Sequence, residues 1–276
     1  DLHSFPTRRS SDLSCLLPLA YCLLPLAYSA VWDDINSFLA WASCRGMGIL
    51  PWNGHLARYH SYHYRGEELV DSRKYAPATQ RNREPILNVL LEILPATGTI
   101  LEIASGTGEH AIYFAQQLNP RKWIPSDIDA SLRDSIIAWA KDYPSDNLHQ
   151  PLDIDVSQPV WKVEQEILSE IPDIVAMVNI NMIHISPWST CLGLMAGAGR
   201  ILSSGDILYL YGPYKQGNKH TALSNADFDS YLREQNPEWG VRNLEDVVEV
   251  ASNHNLILEK TYQMPANNLS VVFKHM

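Results

Sequence analysis

The chain has 276 residues, 46% hydrophobic and 19% charged, and its 21 basic against 31 acidic side chains give a net charge of −10. That composition excludes a disordered polymer, a collagen, a disulfide scaffold and a multi-pass membrane protein. The acidic balance repels phosphate backbones, so no nucleic-acid partner is expected; a small or cationic ligand, or a protein, fits better.

Residues 1–70 read differently from the rest. Asp1–Leu13 resembles a reading frame of a common sequencing adapter, and Cys15–Tyr21 (CLLPLAY) recurs unchanged as Cys22–Tyr28. An identical tandem points to a repeated DNA segment rather than a folded element. Arg8 and Arg9 followed by Leu13–Trp32 also fit a signal segment or a single membrane span, whose helix Pro18 and Pro25 would break in water but less so in lipid. Ala40–Val70 shows neither the helical nor the strand period. Residues 1–70 are therefore read as a non-native, disordered or weakly structured extension, and 71–276 as the folded domain.

Cys15, Cys22 and Cys44 lie in the extension, which leaves Cys191 alone in the domain. There is thus no disulfide framework and no CxxC knuckle, and the domain is expected to be cytoplasmic with no membrane partner. It carries 16 basic against 25 acidic side chains, so the acidity belongs to the domain itself. Cys191, His220 and His254 show no metal-ligand spacing, and no metal is expected.

Within the domain, Pro85–Leu94 has a wide apolar face and predicts a helix, ended by Pro95–Gly98. Thr99–Ala104 is a short branched run, a buried strand, and Gly106 and Gly108 lead from it into a helix over His110–Leu118. The unit repeats. Trp123–Pro125 is a strand ending at Asp127, Ser131–Tyr143 a helix, Leu152–Val156 a third strand and Val160–Ile171 a helix. Asp173–Ile180 (DIVAMVNI) is a fully apolar fourth strand, Leu192–Leu202 a helix and Gly205–Tyr211 a fifth strand. Gly212–Gly240 lacks a regular apolar period and reads as a long lid-like loop. Leu244–Asn253 is a helix, and Leu256–Gln263 and Leu269–Lys274 form a terminal antiparallel pair. This alternation implies an α/β fold with a mostly parallel sheet covered by helices on both faces. Its ligands bind beyond the carboxyl ends of the strands.

Leu101–Gly108 (LEIASGTG) occupies that position after the first strand. Gly106–Ala111 satisfies the dinucleotide pattern GxGxxA, which favours a nicotinamide oxidoreductase. Glu102 argues the other way. A carboxylate beside the turn repels a pyrophosphate and attracts S-adenosylmethionine, which carries a sulfonium and an ammonium but no phosphate. Asp127 closes the second strand 25 residues later, where an acid takes ribose hydroxyls. Asp155 ends the third strand within reach of an adenine amino group. The plain alternative for each acid is a cap on a helix or turn.

These residues resemble the motif of class I S-adenosylmethionine-dependent methyltransferases. More narrowly, Tyr75–Arg83 (YAPATQRNR), Asn181–Trp188 (NMIHISPW), Tyr211–Lys215 (YGPYK), His220–Asn225 (HTALSN) and Pro265–Asn268 (PANN) resemble the methyltransferase-like protein 26 group. The resemblance implies a Rossmann-like, seven-stranded sheet with an antiparallel last strand. It implies that Glu102 steers the methionine amino group and Asp127 holds the ribose, with Ile128 beside it as a further cofactor-binding residue. Ala104, Ser105, Gly106 and Gly108 would line the cofactor, Asp155 and Val156 flank the adenine, and Asn179 is a further cofactor-binding candidate. The class usually has glycine where Ala104 stands, a departure expected to matter little.

Beyond the fourth strand, Asn179 and Asn181 are suited to accept from an amine or orient a carbonyl. His184 is the obvious general base nearby, if the acceptor must lose a proton. The alternative is a helix-start histidine bonded to local backbone. Trp188, Tyr211 and Tyr214 are candidate pocket walls, with core packing as the alternative for the tyrosines. Tyr75 and Arg81 belong to a segment that also holds Arg73, Lys74 and Arg83; it either closes over the cofactor carboxylate or is a solvated helix start. The expected activity is methyl transfer to a small-molecule acceptor, the rivals being a nicotinamide oxidoreductase and a non-catalytic cofactor-binding protein.

Overall fold

A computed structural model describes residues 62–64, 67–69, 71–166 and 173–276. The adapter-like stretch, the CLLPLAY repeat and the candidate span Leu13–Trp32 lie outside the described residues, as does the end of the helix expected over 160–171. Within the segment read as aperiodic, β1 (Tyr62–Tyr64) and β2 (Glu67–Leu69) pair antiparallel.

The domain then runs α1 (Pro77–Ile93), β3 (Thr99–Ile103), α2 (Glu109–Gln117), β4 (Lys122–Pro125), α3 (Ala130–Asp142), α4 (Lys162–Glu166) and β5 (Ile174–Ile180). After a 3-10 turn at Met182–His184 come α5 (Trp188–Ile201), β6 (Ile207–Gln216), β7 (Lys219–His220), α6 (Leu223–Gln235) and β8 (Arg242–Asn243). The chain closes with α7 (Leu244–Ser252), β9 (Leu256–Met264), a 3-10 turn at Pro265–Asn267 and β10 (Asn268–His275).

The sheet order is β4-β3-β5-β6-β10-β9, with β7 and β8 pairing onto the far end of β6. The first four strands are parallel, and β10 runs antiparallel to both β6 and β9. This is the doubly wound sheet the alternation predicts. Its strands are buried on both faces because side chains alternate sides with a period of two. Leu101 and Ile103 join the cluster under α5 and α7, whereas Ile100 joins the one under α1 and α2. Glu102 shares the parity of Ile100 and therefore points toward α1 and α2.

Three expectations need correcting. Leu152–Val156 is not a strand; only Leu152 bridges to Ser126. Pro151 has no N–H to give a ladder, and Asp155 turns back onto the Ser157 amide at 2.9 Å. With that strand reduced to a bridge and the two-residue β7 and β8 added, the sheet has eight strands rather than seven. The first helix begins at Pro77, not Pro85, which lies inside it. Finally, Gly212–Gly240 is not a loop. β6 runs on to Gln216, and α6 covers 13 residues, of which Phe228, Tyr231 and Leu232 pack with Trp239 and Ile185. Too few apolar positions mark that face for the helical period to show in the sequence. Among the described residues, no helix is long and apolar enough to cross a membrane.

Candidate functional site

Beyond the carboxyl end of β3 lies a cleft of about 510 Å³, counted with its mouth. Its floor is Glu102 and Ala104–Thr107, one wall is Ala76, Ala78, Thr79 and Asn82 with His110, and the other is Ile180, Asn181 and Ile185. The backbone that shapes the floor is left-handed at three points, Ala104 (φ 56°), Gly106 (φ 59°) and Gly108 (φ 92°). At Gly108 a side chain is also barred by packing, since a Cβ would sit 2.9 Å from the Ile136 Cα on α3. Ala104 is different. A methyl-bearing residue is held in a conformation that costs roughly 1–2 kcal/mol, so the departure from glycine is a strained position rather than a neutral one.

Glu102 is 2% exposed. Its Oε2 accepts from the Ser105 hydroxyl at 2.9 Å and from the Trp123 indole N–H at 3.0 Å. Its Oε1 has no partner among the described residues, and the side chain lines the cleft. Burial pushes its carboxyl up to about 7, with the charge of Asp127 adding to the effect and the two hydrogen bonds opposing it. A cation arriving at Oε1 would favour the ionised form. Glu102 is therefore a buried carboxyl poised to ionise with its ligand, not an exposed charge attracting it from a distance.

Asp127 is also buried, and it organises the turn. Its Oδ2 accepts from the Gly106 amide at 3.0 Å and its Oδ1 from the Asp129 amide at 3.0 Å. Ile128 beside it, three residues past the end of β4, is 47% exposed. Asp155 takes the plain alternative: it accepts from the Ser157 amide and hydroxyl and from Gln158, which also holds its carboxyl below the usual range against the opposing effect of burial. Val156 is buried in the core under α5. Asn179, at the end of β5, donates to the Ile103 carbonyl at 2.9 Å, while its Oδ1 is buried with no partner among the described residues.

The two residues expected at the transfer point separate. Asn181 adopts a left-handed φ of 64° and lines the cleft. His184 does not. It is fully buried, its Nδ1 accepts from the Arg242 amide at 3.2 Å, and its ring meets Tyr214 edge-on at 4.9 Å. Its Nε2 faces β6, where a Cβ on Gly212 would come within 2.5 Å. Burial, aided by the Arg242 charge, drives its pKa down to about 3. A neutral imidazole sealed against backbone cannot collect a proton from a ligand in the cleft. His184 is thus a packing residue in this geometry, and the general-base expectation is corrected.

None of the expected pocket walls lines the cleft. Tyr211 and Tyr214 are buried in β6, and the Tyr214 hydroxyl has no partner among the described residues. Trp188 carries the Arg242 guanidinium over its ring at 5.6 Å. Tyr75 stands edge-on to Trp139 at 5.0 Å, and Arg81 is exposed on α1. The neighbouring cations are engaged elsewhere. Arg73 pairs with Asp71 and Asp142, Lys74 with the Ser131 hydroxyl at 2.7 Å, and Arg83 lies over the Tyr113 ring at 4.6 Å. Thr79, Asn82, Thr107 and His110 were passed over. Thr79 and Asn82 sit three apart within the YAPATQRNR string, a spacing that places both on one helix face.

The sequence model of the family described as Protein of unknown function (DUF938) matches residues 73–275. Among solved structures, an O-methyltransferase family protein from Burkholderia thailandensis is similar over 72% of this chain and 57% of its own, at 12% identity and a TM-score of 0.59. Human N-acetylserotonin methyltransferase in complex with S-adenosylmethionine is similar over 72% of this chain and 52% of its own, at 13% identity and a TM-score of 0.57. The S-adenosylhomocysteine-bound methyltransferase CalO1 of calicheamicin biosynthesis matches over 73% of this chain and 56% of its own, at 13% identity and a TM-score of 0.56. The chain thus spans little more than half the length of these structures, and at such identities the likeness is one of fold. The fold is the Rossmann-like class I methyltransferase fold.

Proposed function

The chain belongs to the DUF938 family, and from that premise we propose that it is an S-adenosylmethionine-dependent methyltransferase acting on a small-molecule acceptor. At finer grain, the strings YAPATQRNR, NMIHISPW and PANN favour the methyltransferase-like protein 26 group. The observation that carries the reading is Glu102: a buried carboxyl, on a cleft with no lysine or arginine in its described lining, with one oxygen left for a cation. That acceptor suits an ammonium and a sulfonium and opposes a pyrophosphate. The GxGxxA match alone supports the nicotinamide alternative.

In this reading Glu102 holds the methionine ammonium through Oε1, and Asp127 holds the ribose while keeping the Gly106 amide in place. Ile128 offers its exposed face to the adenine, and Asn179 and Asn181 close the transfer side. The bound cofactor supplies an electrophilic methyl group. Transfer is an in-line displacement, so the protein's share is largely to align and confine the reactants. In this reading Asn181, Ile180 and Ile185, which line the cleft, orient the acceptor, and their neutral, partly apolar surface supports a small organic molecule. The fold neighbours with O-methyltransferase names support the same class.

The test is incubation of the full chain with methyl-labelled S-adenosylmethionine and a fractionated metabolite pool. Label is expected in at least one small-molecule fraction. Cofactor binding without any transfer would leave the non-catalytic reading in its place, and binding of a nicotinamide dinucleotide instead would replace both.

A further inference from the structure

Asn82 is 8% exposed on the inner face of α1, and His110 Nε2 lies 2.8 Å from its Oδ1. The His110 ring stacks on Phe114 at 5.4 Å, and burial together with the Arg83 charge drives its pKa down to about 3. A neutral imidazole has one N–H, and an amide oxygen only accepts, so Nε2 carries the proton and donates to Oδ1. That bond fixes the amide: Oδ1 is occupied, and the Nδ2 donors, which have no partner among the described residues, belong to the cleft. Thr79, three residues earlier on the same face, lines the same cleft. The first turn of α1 faces the same space through Ala76, Ala78 and Thr79. Glu109 is half-buried behind this wall, where its Oε2 accepts from the Ala76 amide and the Thr107 hydroxyl, and burial raises its carboxyl above the usual range. The cleft therefore presents the Glu102 carboxyl and, on its α1 wall, the uncharged polar side chains of Asn82 and Thr79. This is the pattern of an amino-acid zwitterion.

We propose that Asn82, oriented by His110 and assisted by Thr79, holds the carboxylate of the cofactor's methionine end without any cation. The assignment rests on the S-adenosylmethionine reading above. It replaces the arginine grip expected from Tyr75–Arg83. Asn82 contacts the ligand, whereas His110 is a positioning residue that keeps the amide from turning its oxygen toward the anion.

Calorimetry on the full chain separates the two levels by using S-adenosylhomocysteine, which has the aminocarboxypropyl tail, and 5′-methylthioadenosine, which lacks it. Asn82→Ala is expected to weaken S-adenosylhomocysteine about tenfold, the loss of a hydrogen bond to a charged group. Asn82→Asp, which opposes two negative charges, should weaken it further, and His110→Phe, which keeps the stack but removes the donor, should weaken it less. All three should leave 5′-methylthioadenosine within about twofold, which also shows that the variants fold. Equal loss for both ligands, or no loss for either, overturns the assignment of Asn82 while leaving the cofactor reading intact. Wild-type protein that binds neither nucleoside overturns both.

Discussion

At the carboxyl end of β3, Glu102 keeps one carboxylate oxygen on the cleft, and Asn82 and His110 meet it from α1 and α2. Beyond β5 and β6, a few residues away along the same edge, the polar groups are closed in. His184 Nε2 and the Tyr214 hydroxyl are buried without partners among the described residues. The Arg242 guanidinium is spent on the Ile183, Ser186 and Glu238 carbonyls. Asp229 gathers Lys215 at 2.8 Å, His220 and Arg233 at 3.3 Å, and the Val241 amide at 2.7 Å. The closing element is the segment from α6 to β8, which lays Leu232 and Trp239 on Ile185 and bonds Gly240 to the His184 carbonyl. A histidine at a strand end is thus no evidence of chemistry by itself. What distinguishes the β3 side is polar atoms that remain able to meet a ligand.

The sharpest way to break this contrast is His184→Ala. Removing a fully buried ring from the sealed side should cost on the order of 3 kcal/mol of stability in urea unfolding while leaving S-adenosylhomocysteine affinity unchanged. If the variant instead keeps its stability and loses an ionisation near neutral pH from its turnover profile, the histidine acts on the substrate. Glu102→Gln probes the open side. It should weaken S-adenosylhomocysteine by about 2 kcal/mol, since a neutral amide replaces a charged acceptor. Unchanged affinity by calorimetry would remove Glu102 from the site. The smallest effect is expected at Ala104. Ala104→Gly relieves a left-handed backbone and should raise stability by up to about 1 kcal/mol, against the entropy that glycine adds to the unfolded chain. A loss of stability on melting would show that the methyl group packs more favourably than its backbone is strained.

The difference between the two sides also marks where the sequence could be read. β3, the glycine turn and β5 declare themselves because fully buried parallel strands are continuous apolar runs, and left-handed turns select glycine. Glu102, Asp127 and Asn181 follow from their places at strand ends. α6 stayed hidden because it covers a small satellite cluster with few apolar residues. Leu152–Val156 misled in the opposite way: its apolar alternation promised a strand that Pro151 and the Asp155 turn prevent. The wall made by Asn82 and His110 is hidden in the sequence because Asn82 stands between two arginines and His110 lies 28 residues away. Polar side chains on a helix advertise solvent or a site equally, and only the packing of α1 against α2 tells which.

Glu102 also gives the two sides of the comparison a common measure through pH. Its folded value of about 7 lies above the ordinary 4.5, so the folded protein keeps a proton that the unfolded chain has released. Without ligand, stability should therefore fall as pH rises through that interval. Ligand binding has the opposite sign, because a cation selects the ionised form. Calorimetric titration of the full chain with S-adenosylhomocysteine at about pH 6 and about pH 8 tests the claim most directly. Affinity should rise about tenfold between them, in step with the ionised fraction of a group near 7, and Glu102→Gln should abolish the rise. No binding at either pH, or an affinity that stays level or falls as pH rises, would contradict the account.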